Sequence, residues 1–456
     1  MQSAAPAPNV FLLCRAPAGW AVSPVLAAIL FIPALAPAGD WPNWRGPNQD
    51  GSALDEKDLP VEFSKTKNVK WVADLPGEGA STPVVSGDAV FLTSADEAEN
   101  GVFAFCFDRE SGELKWKQAL GEGIRKDDRS NFAAPSATTD GKTVYFFTGG
   151  GDLAAFDFSG KEIWKRNIQD DYGQFAFGWT FSTSPLLHGG KLYMQVLQRD
   201  TAVDGRGFTD RPNESYLLAL DPATGKELWK VERPSDAQVE SREAFTSPVV
   251  VTHGGKTEIV VIGGDYLTGH DPETGKEIWR WGTWNPGHGE KFWRLVPSPV
   301  YGDGILLACA PKKQPVYAIK AGGKGKLSDA DVAWVSQDAL VSSDVPTPLF
   351  YEGRFYILNE GKKTLNCVEP ATGKVIWSET LDAKVKLESS PTAGDGKIYL
   401  MSHLGEVFVV AAGDKFKLLH STTLGESQSV NIRSSIVPSH GHLFIRTDKK
   451  LFCIGK

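Results

Sequence analysis

Beyond residue 68 the chain alternates short apolar runs with polar turns. The runs are rich in Val, Ile, Leu, Phe and Tyr, as at 90–92, 144–147 and 355–358, and Gly, Asp, Asn and Ser bound them. Short runs of β-branched and aromatic residues between turn residues are typical of β-strands. No long stretch of this region shows the 3.6-residue apolar period of a helix. The pattern therefore predicts an all-β protein.

Two longer motifs recur in phase along the same region. One is an acidic residue, a Ser/Thr-Gly turn and then a Trp; clear copies end at Trp116, Trp164, Trp229, Trp279 and Trp377, and a degenerate copy ends at Trp334. The other is a Ser or Thr beside a Pro that begins a unit; it occurs at Pro83, Pro135, Pro185, Pro248, Pro299, Pro348 and Pro391, with an eighth copy at Ser434, Ser435 and Ile436. Successive copies are 43 to 63 residues apart, and each unit reads as four short strands. Repeats of this kind are typical of propeller blades, so the sequence predicts an eight-bladed β-propeller of four-stranded antiparallel blades.

The two ends of the repeat region complement each other. The last unit ends with a third strand at 451–455, whereas Trp71 lies in a Trp strand that three strands should precede. We therefore expect the Trp71 strand to join the C-terminal blade and close the ring, which removes free sheet edges. The Trp side chains are predicted to pack between adjacent blades, without a chemical role.

The first residues differ from the rest of the chain. Residues 1–39 contain no Asp or Glu, and 22–35 is an almost wholly apolar run that small residues follow. This pattern predicts a signal peptide at 1–38, then an N-terminal extension at 39–67 and the propeller at 68–456. A membrane anchor is the alternative, but the run holds two prolines and is shorter than the roughly 20 residues that a spanning helix needs. We expect an exported protein of the periplasm, cell envelope or extracellular space, with no transmembrane segment after cleavage.

The charge of the chain and the positions of its cysteines argue against two kinds of function, nucleic-acid binding and metal binding through cysteine. The net charge is -8 and both signs are interspersed, which argues against a nucleic-acid partner. Cysteines 106, 309, 367 and 453 are far apart and each lies in an apolar run, so we predict four buried thiols and no metal site. We also expect a monomer.

The motif D-P-x-T-G-K-x-x-W at these spacings resembles the pyrroloquinoline-quinone (PQQ) repeat of eight-bladed quinoprotein propellers. The resemblance covers about 68–456, and the segments 40–47, 195–200 and 213–215 resemble exported PQQ-like propeller proteins of planctomycete-type bacteria. The resemblance implies one of two kinds of protein: PQQ- and calcium-dependent alcohol or sugar dehydrogenases, or non-enzymatic scaffolds such as the BamB-like subunit of outer-membrane β-barrel assembly.

The chain departs from the dehydrogenase pattern. It lacks the adjacent cysteines that the alcohol dehydrogenases of this family carry over the cofactor, and its connections are short apart from 198–214. We therefore expect a non-catalytic binding or scaffold protein that binds an envelope protein or a small ligand, with no catalytic residue assigned. Two alternatives stay open: a quinoprotein oxidoreductase with PQQ and calcium, and a binder of carbohydrate or another small molecule in the propeller funnel.

If a ligand binds, the segments just before each Ser/Thr should form its site at the mouth of the funnel. The candidate residues are Arg129, Asn131, Trp179, Arg242, Glu243, Trp293, Arg294, Asp344, Glu388, Asn431 and Arg433. Planar guanidinium groups and indoles can hold a flat or anionic ligand. The alternative is that Arg and carboxylate groups only pair with one another. His288 is a further candidate base, without an identifiable partner in the sequence.

Overall fold

Eight four-stranded antiparallel sheets follow one another along the chain in the computed structural model, which describes residues 1, 2, 4, 5, 39–426 and 431–455. These strands lie in one unit, Leu35–Lys456. The predicted eight-bladed propeller is confirmed. The apolar run and cleavage site of the predicted signal peptide lie outside the described residues, so that prediction stays untested.

The strands of each blade are given from the inside outward. Blade 1 is Val84–Ser86, Ala89–Asp96, Gly101–Asp108 and Leu114–Glu122; blade 2 is Thr138–Thr139, Thr143–Phe147, Asp152–Asp157 and Glu162–Asn167; blade 3 is Leu186–His188, Lys191–Val196, Tyr216–Leu220 and Glu227–Glu232; blade 4 is Val249–His253, Lys256–Gly263, Tyr266–His270 and Glu277–Trp281. Blade 5 is Val300–Gly302, Ile305–Cys309, Val316–Lys320 and Val332–Val335; blade 6 is Leu349–Tyr351, Arg354–Asn359, Thr364–Val368 and Val375–Thr380; blade 7 is Thr392–Gly394, Lys397–Met401, Glu406–Ala411 and Leu418–Thr423; blade 8 is Val437–Ser439, His442–Arg446, Lys450–Ile454 and Val69–Asp74. Two short strands add in parallel, Gly325–Lys326 on blade 4 and Ser52–Ala53 on blade 7. The described helices are an α-helix at Ile168–Tyr172 and 3-10 helices at Val239–Arg242, Pro286–His288 and Asp329–Asp331.

The Trp71 strand closes the ring as predicted. It pairs antiparallel with the last strand of the chain, with Trp71 opposite Cys453 and Asp74 opposite Lys450. In the seven other blades the residue at the same register is a Trp on the fourth strand, except in blade 7, where it is His420.

Six of these Trp rings pack against a turn of the next blade, and this contact explains the repeat motif; the exception is Trp279, which donates its indole N–H to Glu258 of its own blade at 2.6 Å. Trp164 of blade 2 donates its indole N–H to Pro222 O of blade 3 at 2.8 Å. Its ring covers Gly225 of the Ser/Thr-Gly turn there, where φ is +68° and a Cβ would lie 2.6 Å from the indole. The same ring-on-glycine contact occurs for Trp71 on Gly112, Trp116 on Gly160, Trp229 on Gly275 and Trp334 on Gly373. The turn therefore needs glycine both for its left-handed backbone and for room.

The joint between blades 7 and 8 lacks this contact for a topological reason. The fourth strand of blade 8, Val69–Asp74, lies far from its third strand, Lys450–Ile454, in the sequence, so no tight turn joins them that could receive an aromatic ring from blade 7. His420 of blade 7 instead binds the N-terminal extension: its Nε2 lies 2.8 Å from Phe63 O, and the two rings are 5.6 Å apart.

A ring of hydroxyl groups joins the first strands near the axis. Each hydroxyl accepts the backbone N–H of the same position in the preceding blade, at 2.9–3.0 Å, through Thr82, Ser136, Ser184, Ser247, Ser298, Thr347 and Ser390. Within the described residues, Ser435 Oγ of blade 8 is buried and has no partner, so the ring is open at the joint between blades 7 and 8. In blade 2 the ring residue is Ser136, after Pro135 rather than before it, and Ala137 occupies the position that Pro has elsewhere.

Residues 40–53, which we call the N-terminal plug, cross the axis below this ring. The plug contacts five first strands, each time three residues after the ring hydroxyl, at Val85, Thr139, Val250, Phe350 and Ala393. Arg45 is 2% exposed and donates to Pro348 O at 2.8 Å and Pro391 O at 3.0 Å. The plug therefore satisfies inner-strand backbone groups and closes one end of the axis.

Candidate functional site

A cavity of about 400 Å³ lies on the axis, bounded by the ring of hydroxyls and by loops at the other end of the blades. We call it the funnel. The side chain of Trp44, which belongs to the plug, lines it from below, and Ser136, Ser184, Ser247 and Ser390 of the ring also line it. Because the plug lies across the axis below these residues, the funnel is open at one end only.

The charged groups of the funnel are mainly basic. Six cationic side chains line it, from Arg129, Arg294, Lys312, Lys313, Lys386 and Arg433, against three carboxylates, from Asp344, Glu360 and Glu388. The whole chain has a net charge of -8, so the positive charge is a local feature. A concave site lined by one sign of charge concentrates ligands of the opposite sign.

Glu388 is the most heavily paired of the carboxylates. Its Oε2 accepts from Arg433 Nε at 2.7 Å and lies 2.9 Å from His403 Nε2, and its Oε1 pairs with Lys386. Burial by itself raises the pKa of Glu388, but the hydrogen bond from His403 and the charge of Arg433 lower it far below its ordinary value of 4.5. Glu388 is therefore ionised and engaged near neutral pH.

The other two carboxylates bind backbone groups. Asp344 Oδ1 accepts from Lys312 N at 2.7 Å, and Glu360 Oε2 accepts from Asp344 N at 3.3 Å. Burial, with the nearby charges of Asp344 and Glu388, raises the pKa of Glu360. In the described chain no group of three or more His, Cys, Asp or Glu side chains is placed to hold a metal ion.

Three of the cations are free of ionic partners. Among the described residues, no carboxylate lies within 4 Å of the charged groups of Arg129, Lys312 and Lys313, which are all exposed. Lys312 and Lys313 follow one another in the left-handed region, with φ of +55° and +65°. They are the two central residues of the hairpin turn 311–314, in which Gln314 N donates to Pro311 O at 3.2 Å, and this turn type needs a positive φ at both positions.

Aromatic rings complete the wall. Trp44, Trp179 and Phe245 line the funnel, each half-buried. The guanidinium of Arg129 lies 5.7 Å from the centre of the Trp179 ring. Asp127 holds the next residue, Thr180, by its N–H at 2.6 Å and its hydroxyl at 2.7 Å, which fixes the position of this wall.

The predicted site residues fall into three groups. Six of them line the funnel: Arg129, Trp179, Arg294, Asp344, Glu388 and Arg433. Asn131 and Asn431 line a depression of about 30 Å³ beside it. The last three, Arg242, Glu243 and Trp293, line neither. Arg242 pairs with Asp200 at 3.5 Å, Glu243 is buried against Arg199, and Trp293 packs against the core of blades 3 to 5.

Of the charged and indole side chains that line the funnel, sequence reasoning missed five, namely Trp44, Lys312, Lys313, Glu360 and Lys386. Lys312, Lys313 and Glu360 lie in turns between second and third strands, which reach the same end of the blades as the segments before each first strand. The predicted order of the strands therefore already indicated that these turns lie at the mouth of the funnel. Trp44 had no such signal, because the plug lies outside the repeats.

His288 gains a partner that the sequence did not reveal. Its Nδ1 lies 2.8 Å from Oδ2 of Asp265, which also accepts from Asn285 at 2.8 Å. The pair lies outside the residues that line the funnel. Of the described residues, none belongs to a helix long and apolar enough to cross a membrane.

Comparisons with known proteins agree with this architecture. The sequence profile of the family PQQ_2, described as outer membrane protein assembly factor BamB, matches residues 54–198, 174–342 and 213–455. A curated relative, polyvinylalcohol dehydrogenase of Sphingopyxis sp. (strain 113P3), is 30% identical over 209 residues, which is 43% of this chain and 29% of that protein. The match thus spans less than a third of that relative's length.

Among solved structures, the quinohemoprotein alcohol dehydrogenase of Comamonas testosteroni superposes with a TM-score of 0.61 at 13% identity, over 92% of this chain and 81% of that one. BamB of Moraxella catarrhalis superposes with a TM-score of 0.56 at 14% identity, over 85% of this chain and 99% of that one. At these identities the likeness concerns the fold.

Proposed function

Because the chain belongs to the PQQ_2 family of the outer membrane protein assembly factor BamB, we propose that it is a non-catalytic binding protein of the cell envelope, exported and monomeric. Its ligand or partner enters the funnel. One observation carries the proposal: the funnel carboxylates are engaged by cations or backbone N–H groups, whereas Arg129, Lys312 and Lys313 have no ionic partner among the described residues. Free cations at a concave mouth favour binding of an anionic group.

A quinoprotein oxidoreductase is the second candidate, which the similarity to polyvinylalcohol dehydrogenase favours. The residues fit this reaction in part. Indoles and free cations suit a planar anionic quinone, which would supply the redox chemistry when bound. Calcium takes about six to eight oxygen ligands, and the described carboxylates do not gather around one point. Glu388 is ionised but is held by Lys386, Arg433 and the imidazole of His403, so it does not serve as a free ligand or base.

Site-specific photo-crosslinking in cell envelopes tests the binding function. A photoreactive residue replaces Lys313 at the mouth of the funnel; the control carries it at Lys142, an exposed turn residue at the opposite end of blade 2. We expect a reproducible adduct from position 313 and none from position 142. Equal adducts from both positions, or none from either, would contradict the funnel as the binding site.

Quinone binding tests the alternative. Purified protein is titrated with PQQ and calcium while thermal unfolding and reduction of an artificial electron acceptor by alcohols or sugars are followed. We expect no turnover. Dye reduction that needs PQQ, calcium and an alcohol would overturn the non-catalytic function.

Export is tested separately. Fractionation of cells should recover the protein outside the cytoplasm, and N-terminal sequencing should find a new terminus near residue 39. A protein that keeps its first 38 residues in the cytoplasm would contradict both the signal peptide and the location.

A further inference from the structure

We propose that the ligand of the funnel is a hydroxyl-rich acid, specifically the terminal uronate-type residues of an acidic oligosaccharide. This inference rests on the proposed binding function and assigns its ligand class. Acidic groups of the ligand would pair with free cations, its ring faces would stack on indoles, and its hydroxyl groups would donate to carboxylates.

The cations account for the acidic part of the ligand. Lys312 and Lys313 belong to blade 5 and Arg129 to the segment before blade 2, so they approach the funnel from different sides. Their separate positions suit a ligand with more than one anionic group. Both lysines are the central residues of the hairpin turn 311–314, which Gln314 N closes on Pro311 O at 3.2 Å, so the turn holds the two side chains together at the mouth of the funnel.

The aromatic rings account for a flat ligand. Trp44 at the base and Trp179 in the wall offer half-buried indole faces inside the same cavity. An indole face packs well against the apolar face of a pyranose ring as well as against another aromatic ring. The rings alone therefore do not decide between a sugar and an aromatic acid.

The carboxylates favour the sugar. Asp344 and Glu360 line the cavity beside the free lysines, and each uses one carboxyl oxygen for a backbone N–H, which leaves acceptor capacity for a hydroxyl group of the ligand. A ligand with anionic groups alone would be repelled there. A sugar acid brings hydroxyl donors together with its carboxylates and satisfies both kinds of group.

Because the funnel is closed at its base, it favours the end of an oligosaccharide over its middle. The plug crosses the axis beneath Trp44, and the cavity of about 400 Å³ falls within the range of small-molecule sites, roughly 300–1,000 Å³. A polysaccharide cannot pass through a funnel that is closed at one end. The terminal residues of the chain would enter while the remainder stays in solvent.

Calorimetric titration of the purified protein tests the ligand class. The probe is a galacturonate trimer, and the matched control is the same trimer with its carboxyl groups methyl-esterified. We expect saturable, salt-sensitive binding of the acid and at least tenfold weaker binding of the ester. Equal binding of the two trimers, or no binding of the acid at millimolar concentration, would overturn the proposal.

Two further probes separate this inference from the proposed function. Tighter binding of an acidic hexapeptide than of the trimer would overturn the sugar class while keeping a binding function. PQQ-dependent dye reduction would overturn the proposed function itself.

Variants locate the binding. The double variant K312Q/K313Q should weaken the trimer at least tenfold, and W179A should weaken the acid and the ester alike. K142Q removes a lysine charge far from the funnel and should bind as the natural protein does. Circular dichroism verifies that each variant is folded. Unchanged affinity in the folded lysine and tryptophan variants would overturn the site.

Discussion

At the residue scale, the funnel shows how a buried carboxylate is kept ionised. Glu388 is 7% exposed, and an isolated charge at that depth would be strongly destabilising. His403, Arg433 and Lys386 surround it, so the group is stable only as part of this cluster. Removing one member of such a cluster leaves the others buried without compensation.

The first prediction concerns that cluster. Glu388→Gln should lower the free energy of unfolding by about 3 kcal/mol at neutral pH. The folded pKa of Glu388 lies below 4.5, so its contribution is present above that pH and is lost as the pH falls towards the folded value. The difference between the proteins should therefore shrink below about pH 4.5, measured by urea unfolding at several pH values. Glu113→Gln, an exposed control, should change little; a pH-independent effect at 388 would contradict the assigned ionisation.

At the element scale, the turns before the fourth strands of blades 1, 2, 3, 4 and 6 need glycine for two reasons: the positive φ of the backbone and the Trp ring of the preceding blade. Gly225 and Gly254 both have positive φ, +68° and +55°, but only Gly225 faces an indole, since a Cβ on Gly254 would meet nothing within 4 Å. The pair therefore separates backbone strain from inter-blade packing.

The second prediction uses this pair. Gly254→Ala should cost about 1 kcal/mol for the left-handed backbone. Gly225→Ala should cost about 3 kcal/mol or more, because the methyl group displaces the Trp164 ring. Chemical unfolding of both variants measures the difference. Equal losses would show that the indole does not constrain the turn.

The ring of hydroxyls is a second contact that joins neighbouring blades. The joint between blades 7 and 8, where this hydrogen bond is missing, provides a control position. Ser247 Oγ accepts the buried N–H of Ser184 at 2.9 Å, whereas Ser435 Oγ has no partner among the described residues. Ser247→Ala should destabilise the protein by about 1–3 kcal/mol, because it leaves a buried donor unsatisfied. Ser435→Ala should be near neutral in the same thermal unfolding experiment. A comparable loss at both positions would contradict the ring.

At the scale of the whole molecule, the N-terminal extension compensates for the joint between blades 7 and 8. In the described residues, that joint lacks both the Trp-on-turn contact and the hydroxyl hydrogen bond that join other blades. The extension bridges the two blades instead. Phe63 binds His420 of blade 7, and Glu56 accepts the N–H groups of His440 and Gly441 of blade 8 at 2.8 and 2.7 Å. The extension therefore has a structural role at the joint between blades 7 and 8.

The fourth prediction separates the plug from ring closure. A variant without residues 39–53 should keep its β-sheet content and melt several degrees lower, because the inner strands lose backbone partners. A variant without residues 39–74 also loses the fourth strand of blade 8 and should aggregate through the exposed sheet edge. Circular dichroism, thermal unfolding and size-exclusion chromatography compare the two. Identical behaviour of the variants would show that the Trp71 strand is not the closing element.

The fold could be predicted from the sequence because each blade carries the same turn residues and the same Trp positions. These residues repeat because every blade packs against its neighbours in the same way. Their spacing therefore predicted the number of blades, the strand order and the closure at Trp71. The four predicted buried thiols are also confirmed: cysteines 106, 309, 367 and 453 are free and buried. The predicted leader, location and monomeric state stay predictions.

The funnel was predictable only in part, since its residues meet through tertiary structure. The segments before the first strands share one end of the ring, and six residues chosen from them line the cavity. Arg242, Glu243 and Trp293 come from the same segments but do not line the cavity, because Arg242 and Glu243 pair with other side chains and Trp293 packs against the core.

The sequence by itself determined the repeat, the number of blades and the closing strand, because these depend on residues close together in the chain. Only the tertiary structure decided that residues 40–53 close the axis, that Trp44 forms the base of the funnel and that Lys312 and Lys313 face it. The contacts of the plug join residues that are hundreds of positions apart and belong to no repeat, so no local period records them. The two lysines lie in a repeat turn, but the repeat does not record which turn side chains reach the axis.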